Sequence, residues 1–514
     1  MSQDRTTDSK RIAKNTLLLY IRMLFLMLIS LYTSRVILNA LGVNDFGIYN
    51  VVGGVVTMFS ILSSSLSAAI SRFITFELGK NDEEKLKKVF SASVTIQLIL
   101  SIIIAILIEV VGVWFLNEKM SIPTNRLYAA NWVMQFSVIT FVINLISVPY
   151  NATIIAHERM SAFAYISILE GVGKLAVAFL IMVAPFDRLI FYSILMCAIA
   201  VTVRLVYGAY CKNNFSECTY HFIWDKQLLY RMFSFAGWNF IGSTSGILRD
   251  QGGNILINLF FGPAVNAARG IANNVNNAVS GFASNFMAAL NPQITKSYAS
   301  GDYEYMISLI FQGARLSFYM LLFLSLPILV NTHYILVIWL KLVPEHAVSF
   351  VQLILILTLS ENLSYPLITA MLATGKIRNY QIVVGGLQIM NLPISYVCLK
   401  AGCPPEIVLV VCILLSQCCL YARLYMLRGM IGLSSKLFLK KVYINVIVVM
   451  IVAAFGPILL SEQLREGLAT FVILCIVCSF TSALSIFYIG CNNRERKFVF
   501  RKAKVLLDKV RLII

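Results

Sequence analysis

Charged and amide side chains lie within long apolar segments of this sequence, where each is a candidate for chemistry. An ionisable group in such a segment is costly unless it faces water, a partner or a substrate. The basic residues there are Arg22, Arg35, Lys174, Arg204, Arg249, Arg315 and Arg423, and the acidic ones are Glu109, Glu170, Asp250 and Glu361. A cavity lined by these groups should carry net positive charge. It would suit a phosphate or pyrophosphate, for which arginine offers a planar fork of donors.

The run Arg249-Asp250-Gln251, followed by Gly252 and Gly253, is the most informative of these positions. Charges beside two glycines in the middle of an apolar segment are typical of a discontinuous helix that lines a transport cavity. The alternative is an ion pair between Arg249 and Asp250 that only locks helices together. We favour the transport role and therefore expect a break in this helix.

Several other charged groups have structural explanations. Glu170 and Lys174 are four residues apart, which predicts an ion pair along one helix. Arginines near segment ends can instead extend to water, as could Arg22, Arg35, Arg204 and Arg423. We favour this explanation for Arg204 and Arg423.

Arg269, Asn273 and Asn277 follow one another at steps of four, so they share one face of a helix. Such amides either join helices through hydrogen bonds or offer donors and acceptors to sugar hydroxyls, and both explanations stay open. Among the carboxylates inside apolar segments, Glu109, Asp250 and Glu361 are the candidates for coupling transport to an ion.

The elements that must position these residues are membrane helices. Of the 514 residues, 59% are hydrophobic and 13% are charged, and the mean hydropathy is +0.80. A span needs about 20 apolar residues. Windows of that length predict an all-α polytopic membrane protein with about fourteen transmembrane helices, among them 15–40, 46–70, 233–260, 270–292 and 347–372.

Lys and Arg concentrate in alternate loops, which predicts cytoplasmic N- and C-termini and accounts for the net charge of +18 without nucleic acid. The predicted parts are an N-terminus 1–14, an N-lobe 15–210, a linker 211–231, a C-lobe 232–427, accessory helices 428–490 and a basic tail 491–514. The tail interleaves basic and apolar residues, which predicts an amphipathic helix on anionic membrane lipids.

An internal repeat relates the two predicted lobes. At an offset of 217 residues Pro149 meets Pro366, Ala156 meets Ala373 and Arg159 meets Lys376; at an offset of 220, Ile74-Thr75 meets Ile294-Thr295. The matches predict two six-helix bundles related by a pseudo-twofold axis along the membrane normal, followed by two further helices. Both prolines are expected to break or kink their helices.

The sequence favours a transporter over an enzyme. The four histidines are scattered, no Walker A run occurs and the loops are too short for a catalytic domain, so we expect neither catalysis nor a cofactor. Energy for transport would have to come from an ion gradient, the membrane potential or consumption of the cargo.

Six runs of the chain carry a resemblance to a known family: residues 34–42, residues 46–54, Pro149-Tyr150-Asn151-Ala152, residues 156–160, residues 266–272 and residues 291–295. They resemble polysaccharide flippases of the multidrug/oligosaccharidyl-lipid/polysaccharide exporter superfamily. The resemblance covers essentially the whole chain. It implies a MATE-like fold in a bacterial inner membrane. It also implies transfer of an undecaprenyl-pyrophosphate-linked oligosaccharide to the periplasmic leaflet by alternating access, for O-antigen, capsule or exopolysaccharide synthesis.

On this resemblance we expect Arg35, Arg249 and Arg269 to hold the pyrophosphate and Asn273 and Asn277 to contact sugars. A polysaccharide polymerase and glycosyltransferases are the expected protein partners. The alternatives are a MATE-type cation or multidrug antiporter, which would want an acidic cavity, and a lipid II flippase, whose cargo is also a pyrophosphate lipid.

Overall fold

The computed structural model describes residues 2–58, 60–118, 122–340, 343–492 and 495–496. Its regular secondary structure over these ranges is helical throughout, as expected for an all-α membrane protein. The α-helices are α1 Ser2–Met58, α2 Ser60–Lys80, α3 Glu83–Leu107, α4 Val113–Glu118, α5 Leu127–Ala156, α6 Met160–Leu180, α7 Arg188–Asn214, α8 Lys226–Phe261, α9 Pro263–Ala299, α10 Tyr303–Val330, α11 Thr332–Leu340, α12 Ala347–Asn362, α13 Tyr365–Thr374, α14 Arg378–Ile389, α15 Asn391–Lys400, α16 Ile407–Ile431, α17 Ser435–Phe438, α18 Ile444–Gln463 and α19 Leu468–Ser485.

Nine helical segments of the described chain are long and apolar enough to cross a membrane. They are Glu83–Glu118, Thr124–Ala156, Met160–Val183, Arg188–Asn214, Tyr303–Val330, Arg378–Lys400, Ile407–Ile431, Ser435–Gln463 and Leu468–Gly490. The protein therefore crosses a membrane several times. The spans predicted over 15–40, 46–70, 233–260 and 270–292 are helical in α1, α2, α8 and α9 without passing this test, so the count of fourteen stays a prediction.

The helices α12 and α13 meet at a bend of 40° and together form a tenth apolar segment. Pro366 is the second residue of α13, where a missing backbone N–H costs nothing. The predicted break at Pro366 is confirmed. Pro149, in contrast, lies inside α5, which continues through it to Ala156.

The contacts divide the chain into two compact units. Unit 1 comprises Met1–Thr244, Ala288–Asp302 and Leu372–Gln381. In it α5 packs along α7 and α1 packs along α6. Its core contains buried apolar side chains such as Val52, Ile104, Met134 and Leu145. The predicted ion pair of Glu170 and Lys174 is confirmed at 2.6 Å on α6.

A charged network ties three segments of unit 1 together. Arg126 donates to both Asp45 and Asp187, and the nearer Asp187 oxygen lies 2.5 Å from Nη1. Asp187 also caps α7 by accepting from the amides of Leu189 and Ile190. Partial burial alone would raise the pKa of Asp187, but the bonds from Arg126 and the amides outweigh it and hold the pKa below its ordinary value.

We expect Asp187→Asn to lower the free energy of unfolding at neutral pH by about 1 kcal/mol, because asparagine keeps the cap but loses the ion pair. A carboxylate with a depressed pKa stabilises the fold above its unfolded pKa, and this contribution is lost as the pH falls through the folded value. Unfolding in detergent at pH 7 and near pH 3 should therefore show the parent and the variant converging in acid. A constant difference between them would contradict the network. Asp187→Ala, which also loses the cap, should cost about 1 kcal/mol more.

Unit 2 comprises Ser245–Met287, Tyr303–Met371 and Ile382–Ile514. In it α18 and α19 pack together and against α10. Asn445 of α18 accepts from Tyr319 of α10 and donates to the carbonyl of Ile489 at 3.1 Å. Arg315 of α10 pairs with Glu495 at 2.8 Å, which neutralises one of the basic residues found in the apolar segments. Most of the predicted basic tail, from residue 497 onward, lies outside the described residues.

Candidate functional site

The helix α8 carries the Arg249-Asp250-Gln251 run without interruption from Lys226 to Phe261. The expected break at Gly252 and Gly253 is therefore wrong. The glycines instead give room to side chains of other helices: a Cβ on Gly253 would lie 2.7 Å from Nη1 of Arg269, and Gly252 faces Leu392. Close approach, rather than an unwound backbone, explains this glycine pair.

Arg249 joins α8 to α12. Its Nη1 donates to Oε1 of Glu361 at 2.5 Å and its Nε donates to Oδ1 of Asp250 at 2.9 Å. The Arg249 side chain is only 12% exposed, while Asp250 and Glu361 reach further out. Arg249 thus has two carboxylate partners, and its charge is already compensated within unit 2.

Arg269, on α9, pairs with no carboxylate among the residues that the structure describes. The residue is 3% exposed, and Nη2 donates to the carbonyl of Asp250 at 3.3 Å. Its Nε and Nη1 are buried and have no hydrogen-bond partner within the described chain. A buried cation with two unmet donors is costly, since each unpaired group keeps its full desolvation penalty. An anionic ligand that accepts from this guanidinium would remove that penalty.

A cavity of about 190 Å³ lies beside Arg249 and Glu361, and Arg269 is not among its lining residues. Its wall is formed by Arg249, Glu361, Ser364, Tyr365, Ile368, Gln388, Cys412, Leu415, Ser416, Cys419 and Arg423. The volume is below the ~300–1,000 Å³ of ordinary small-molecule pockets, so it can take a compact headgroup but not an oligosaccharide.

The position of Arg423 near the end of a predicted span suggested that its side chain extends to water. In the structure Arg423 instead lies in the wall of this cavity. It is 5% exposed, and its Nη1 donates to Oγ of Ser364 at 3.1 Å. The snorkelling prediction is wrong here because α16 continues to Ile431, about two turns beyond Arg423. With Arg249, Arg269 and Arg423 against Asp250 and Glu361, the cluster carries one net positive charge.

The asparagines of α9 divide between two environments. Oδ1 of Asn276 accepts from Oγ1 of Thr358 at 2.5 Å, which joins α9 to α12. This is the structural role that the sequence left open. Asn277 is exposed and Asn273 is half-buried. A sugar-binding role for these two residues stays a prediction.

The remaining predicted site residues lie elsewhere. Glu109 is exposed on a π-helical turn, Ile108–Gly112, in unit 1 and accepts from Nε2 of Gln135 at 3.0 Å. Arg35 lies in α1, and its side chain is outside the described residues. Of the predicted set, the structure brings together Arg249, Asp250, Glu361 and Arg269.

The polar residues that complete the wall, above all Ser364 and Gln388, were not among the site residues predicted from the sequence. A signal was available for Ser364, because it lies at the break before Pro366, where a helix leaves polar groups unpaired. Gln388 gave no such signal, since a single glutamine in an apolar helix does not reveal which helix it will face.

We expect Gly253→Ala to lower the transport rate of the undecaprenyl-pyrophosphate-linked oligosaccharide expected from the sequence by about tenfold. This is a change of ~1.4 kcal/mol in the barrier, and the protein should stay folded. Alanine is a better helix former than glycine, but its Cβ would displace the Arg269 guanidinium. The measurement is the transport rate in proteoliposomes against Gly270→Ala, a control on α9 whose Cβ would meet open space. Equal rates for the two variants would show that the Arg269 position does not matter.

The chain is similar to one protein family and to several solved structures. The family model described as polysaccharide biosynthesis protein matches residues 12–298. A MATE transporter in its bent conformation aligns with a TM-score of 0.73 at 12% identity. An outward-facing multidrug resistance MATE family transporter aligns with a TM-score of 0.69 at 13% identity.

A third solved structure is a MOP superfamily transporter from Pyrococcus furiosus, with a TM-score of 0.69 at 12% identity. In that transporter, the reversed polarity of the binding pocket suggests a different function. Each of the three alignments covers 83% of this chain and 96% of the other. No curated protein matches the chain.

These structural likenesses establish the fold, and the match to the family model covers more than half of the chain. The chain belongs to the polysaccharide biosynthesis protein family and is a multi-pass membrane protein with a MATE-like fold.

Proposed function

We propose that this protein is a transporter that moves an undecaprenyl-pyrophosphate-linked oligosaccharide from the cytoplasmic to the periplasmic leaflet of a bacterial inner membrane by alternating access. The observation that carries the proposal is the buried guanidinium of Arg269, with two donors that no described residue meets. A pyrophosphate supplies anionic acceptor oxygens for such donors. Membership of the polysaccharide biosynthesis family supports a glycan-bearing cargo.

The cavity is too small for the whole cargo, so the diphosphate, the sugars and the polyprenyl tail must lie in different places. The space of about 190 Å³ beside Arg249 and Arg423 suits the diphosphate. The sugars need a larger, wetter surface, for which the amides of Asn273 and Asn277 supply donors and acceptors. The polyprenyl tail is apolar and stays in the lipid. We extend the pyrophosphate site to Arg35 on charge and depth in the sequence alone.

The charge arrangement argues against a cation antiporter. Such a carrier needs carboxylates free to bind its cargo or a coupling ion, whereas Arg249 already pairs with both Asp250 and Glu361. Glu109 accepts only a neutral amide hydrogen bond among the contacts described for it, and it is the better candidate for ion coupling. We propose a polymerase and glycosyltransferases as partners, and anionic lipids for the basic tail.

The test is transport by the purified protein in proteoliposomes under imposed ion gradients. A labelled undecaprenyl-pyrophosphate oligosaccharide, lipid II and a lipophilic fluorescent cation are compared under identical conditions. We expect the oligosaccharide lipid to cross and the cation to stay. Movement of the cation alone would replace the proposal with antiport. Preference for lipid II would keep the pyrophosphate chemistry and assign the cargo to cell-wall synthesis.

A further inference from the structure

Two turns of unit 1 share an unusual backbone conformation at equivalent positions of the repeat. Glu158, between α5 and α6, has φ 59°, and Gly375, between α13 and α14, has φ 72°. They are separated by the same 217 residues that relate Ala156 to Ala373 and Arg159 to Lys376. The left-handed region is natural for glycine but unfavourable for glutamate. Glutamate at this position therefore suggests that its side chain makes a contact that offsets the unfavourable backbone conformation.

The carboxylate of Glu158 binds the end of α9. The side chain is 1% exposed, its Oε1 lies 2.7 Å from Nζ of Lys296, and its Oε2 accepts from Nε2 of Gln293 at 2.7 Å. The carbonyl of Glu158 also accepts from Nδ2 of Asn15 in α1 at 3.3 Å. A buried carboxylate with two side-chain partners on one helix is a specific contact. Removing Lys296 would take this cation from the buried carboxylate, and removing Gln293 would take one donor from Oε2. We call this contact latch A.

The equivalent turn binds the end of α2. Nη2 of Arg72 donates to the carbonyl of Ala373 at 3.0 Å. Its guanidinium also stacks on Phe76 at 4.5 Å and on Phe73 at 4.7 Å from the ring centroids. A Cβ on Gly375 would lie 2.7 Å from Nη2 of Arg72. Glycine at this position therefore permits both the left-handed backbone conformation and the close approach of the Arg72 guanidinium. We call this contact latch B.

The two latches are related by the repeat as well. The ends of α2 and α9 are the segments in which Ile74-Thr75 matches Ile294-Thr295. The end of α2 therefore binds the turn of the second repeat, and the end of α9 binds the turn of the first. These two helix ends also touch each other, since a Cβ on Gly79 would lie 2.8 Å from Cα of Lys296. The contacts form one continuous set within unit 1.

We propose that latches A and B are a paired gate that holds closed the side of unit 1 assigned by its positive charge to the cytoplasm. Residues 288–302 and 372–381 belong to the second repeat in sequence but to unit 1 by contact. They can part from the first-repeat helices only when both latches release. Breaking one latch should therefore loosen the other, which a merely local ion pair would not do.

The test reads one latch while the other is broken. Ala373 and Ala156 are repeat equivalents and both are 0% exposed. Ala373→Cys reports on latch B, and its reaction with a membrane-impermeant maleimide is followed by mass spectrometry of that peptide in inside-out vesicles. Combining it with Glu158→Gln should speed labelling by about tenfold, a population shift of ~1.4 kcal/mol. The reciprocal pair is Ala156→Cys with Arg72→Gln.

The matched control is Glu170→Gln, which removes the carboxylate of the half-exposed Glu170–Lys174 pair on α6. It should leave the labelling of Ala373→Cys unchanged. Charge exchange, Glu158→Lys with Lys296→Glu, should bring labelling back toward the parent rate. If Glu158→Gln fails to fold, Lys296→Gln breaks the same latch from the other helix. Unchanged labelling of Ala373→Cys with either variant would overturn the gate, and because no cargo is present, this outcome is independent of the proposed substrate.

Discussion

Replacing Arg269 with leucine should abolish oligosaccharide-lipid transport while leaving the protein at least as stable as its parent. The guanidinium is buried with two donors unmet, so its removal relieves a desolvation penalty of about 1–3 kcal/mol. In the loaded state the same two donors would each make a charge-assisted hydrogen bond, for which about 1.5–3 kcal/mol is ordinary. Losing both should lower the transport rate by at least about a hundredfold.

Two measurements on one preparation check this prediction. The first is the rate at which labelled glycolipid crosses in proteoliposomes, and the second is the free energy of unfolding in detergent. The control is Arg428→Leu, which removes an exposed arginine from the last turn of α16 and should change neither quantity. Arg269→Lys, which keeps the charge but loses the planar fork, should fall between the parent and Arg269→Leu.

A loss of stability in Arg269→Leu would mean that Arg269 is a structural residue, and the proposed site would then lose its main support. Full transport by a stable Arg269→Leu protein would remove Arg269 from the site altogether. Either result is informative because Arg249, one helix away, should behave in the opposite manner.

Hydropathy was sufficient to predict the all-α class of fold and several membrane-spanning helices, because the length and apolar character of a span are local properties of the chain. The bend before Pro366 and the Glu170–Lys174 pair were also predictable, since each depends on neighbours within about one turn. The error at Gly252 and Gly253 had a different origin. Glycine permits both an unwound backbone and close approach of another helix, and only the position of Arg269 distinguishes them.

The partners of charged residues could not be read from the sequence. Arg249 and Glu361 are far apart along the chain, and their contact depends on how α8 packs against α12. The sequence placed Arg249 within an apolar segment and Arg269 on one helix face with Asn273 and Asn277, but it did not show that Arg249 has carboxylate partners or that Arg269 is buried with two unmet donors. The repeat likewise matched Ala156 with Ala373, yet the shared left-handed turn was hidden because glutamate stands in one copy and glycine in the other.

Replacing Arg249 with leucine should lower the free energy of unfolding by about 3–5 kcal/mol, because it leaves the Glu361 carboxylate, and in part that of Asp250, without its cation. Unfolding in detergent, measured beside Arg269→Leu, tests this directly. Chemical denaturation with an intrinsic fluorescence readout is suitable, and the two variants should shift in opposite directions from the parent.

The double variant Arg249→Leu/Glu361→Leu distinguishes the effect of an unpaired Glu361 carboxylate from general damage to the site. An apolar pair of similar volume can replace a buried ion pair at little cost, so the double variant should recover most of the stability that Arg249→Leu loses. Its transport should recover too if Arg249 serves mainly to hold α8 against α12. Recovered stability without recovered transport would instead make Arg249 a direct ligand of the cargo beside Arg269. The pyrophosphate would then be bound by both arginines, with Glu361 released from its pair as the cargo arrives.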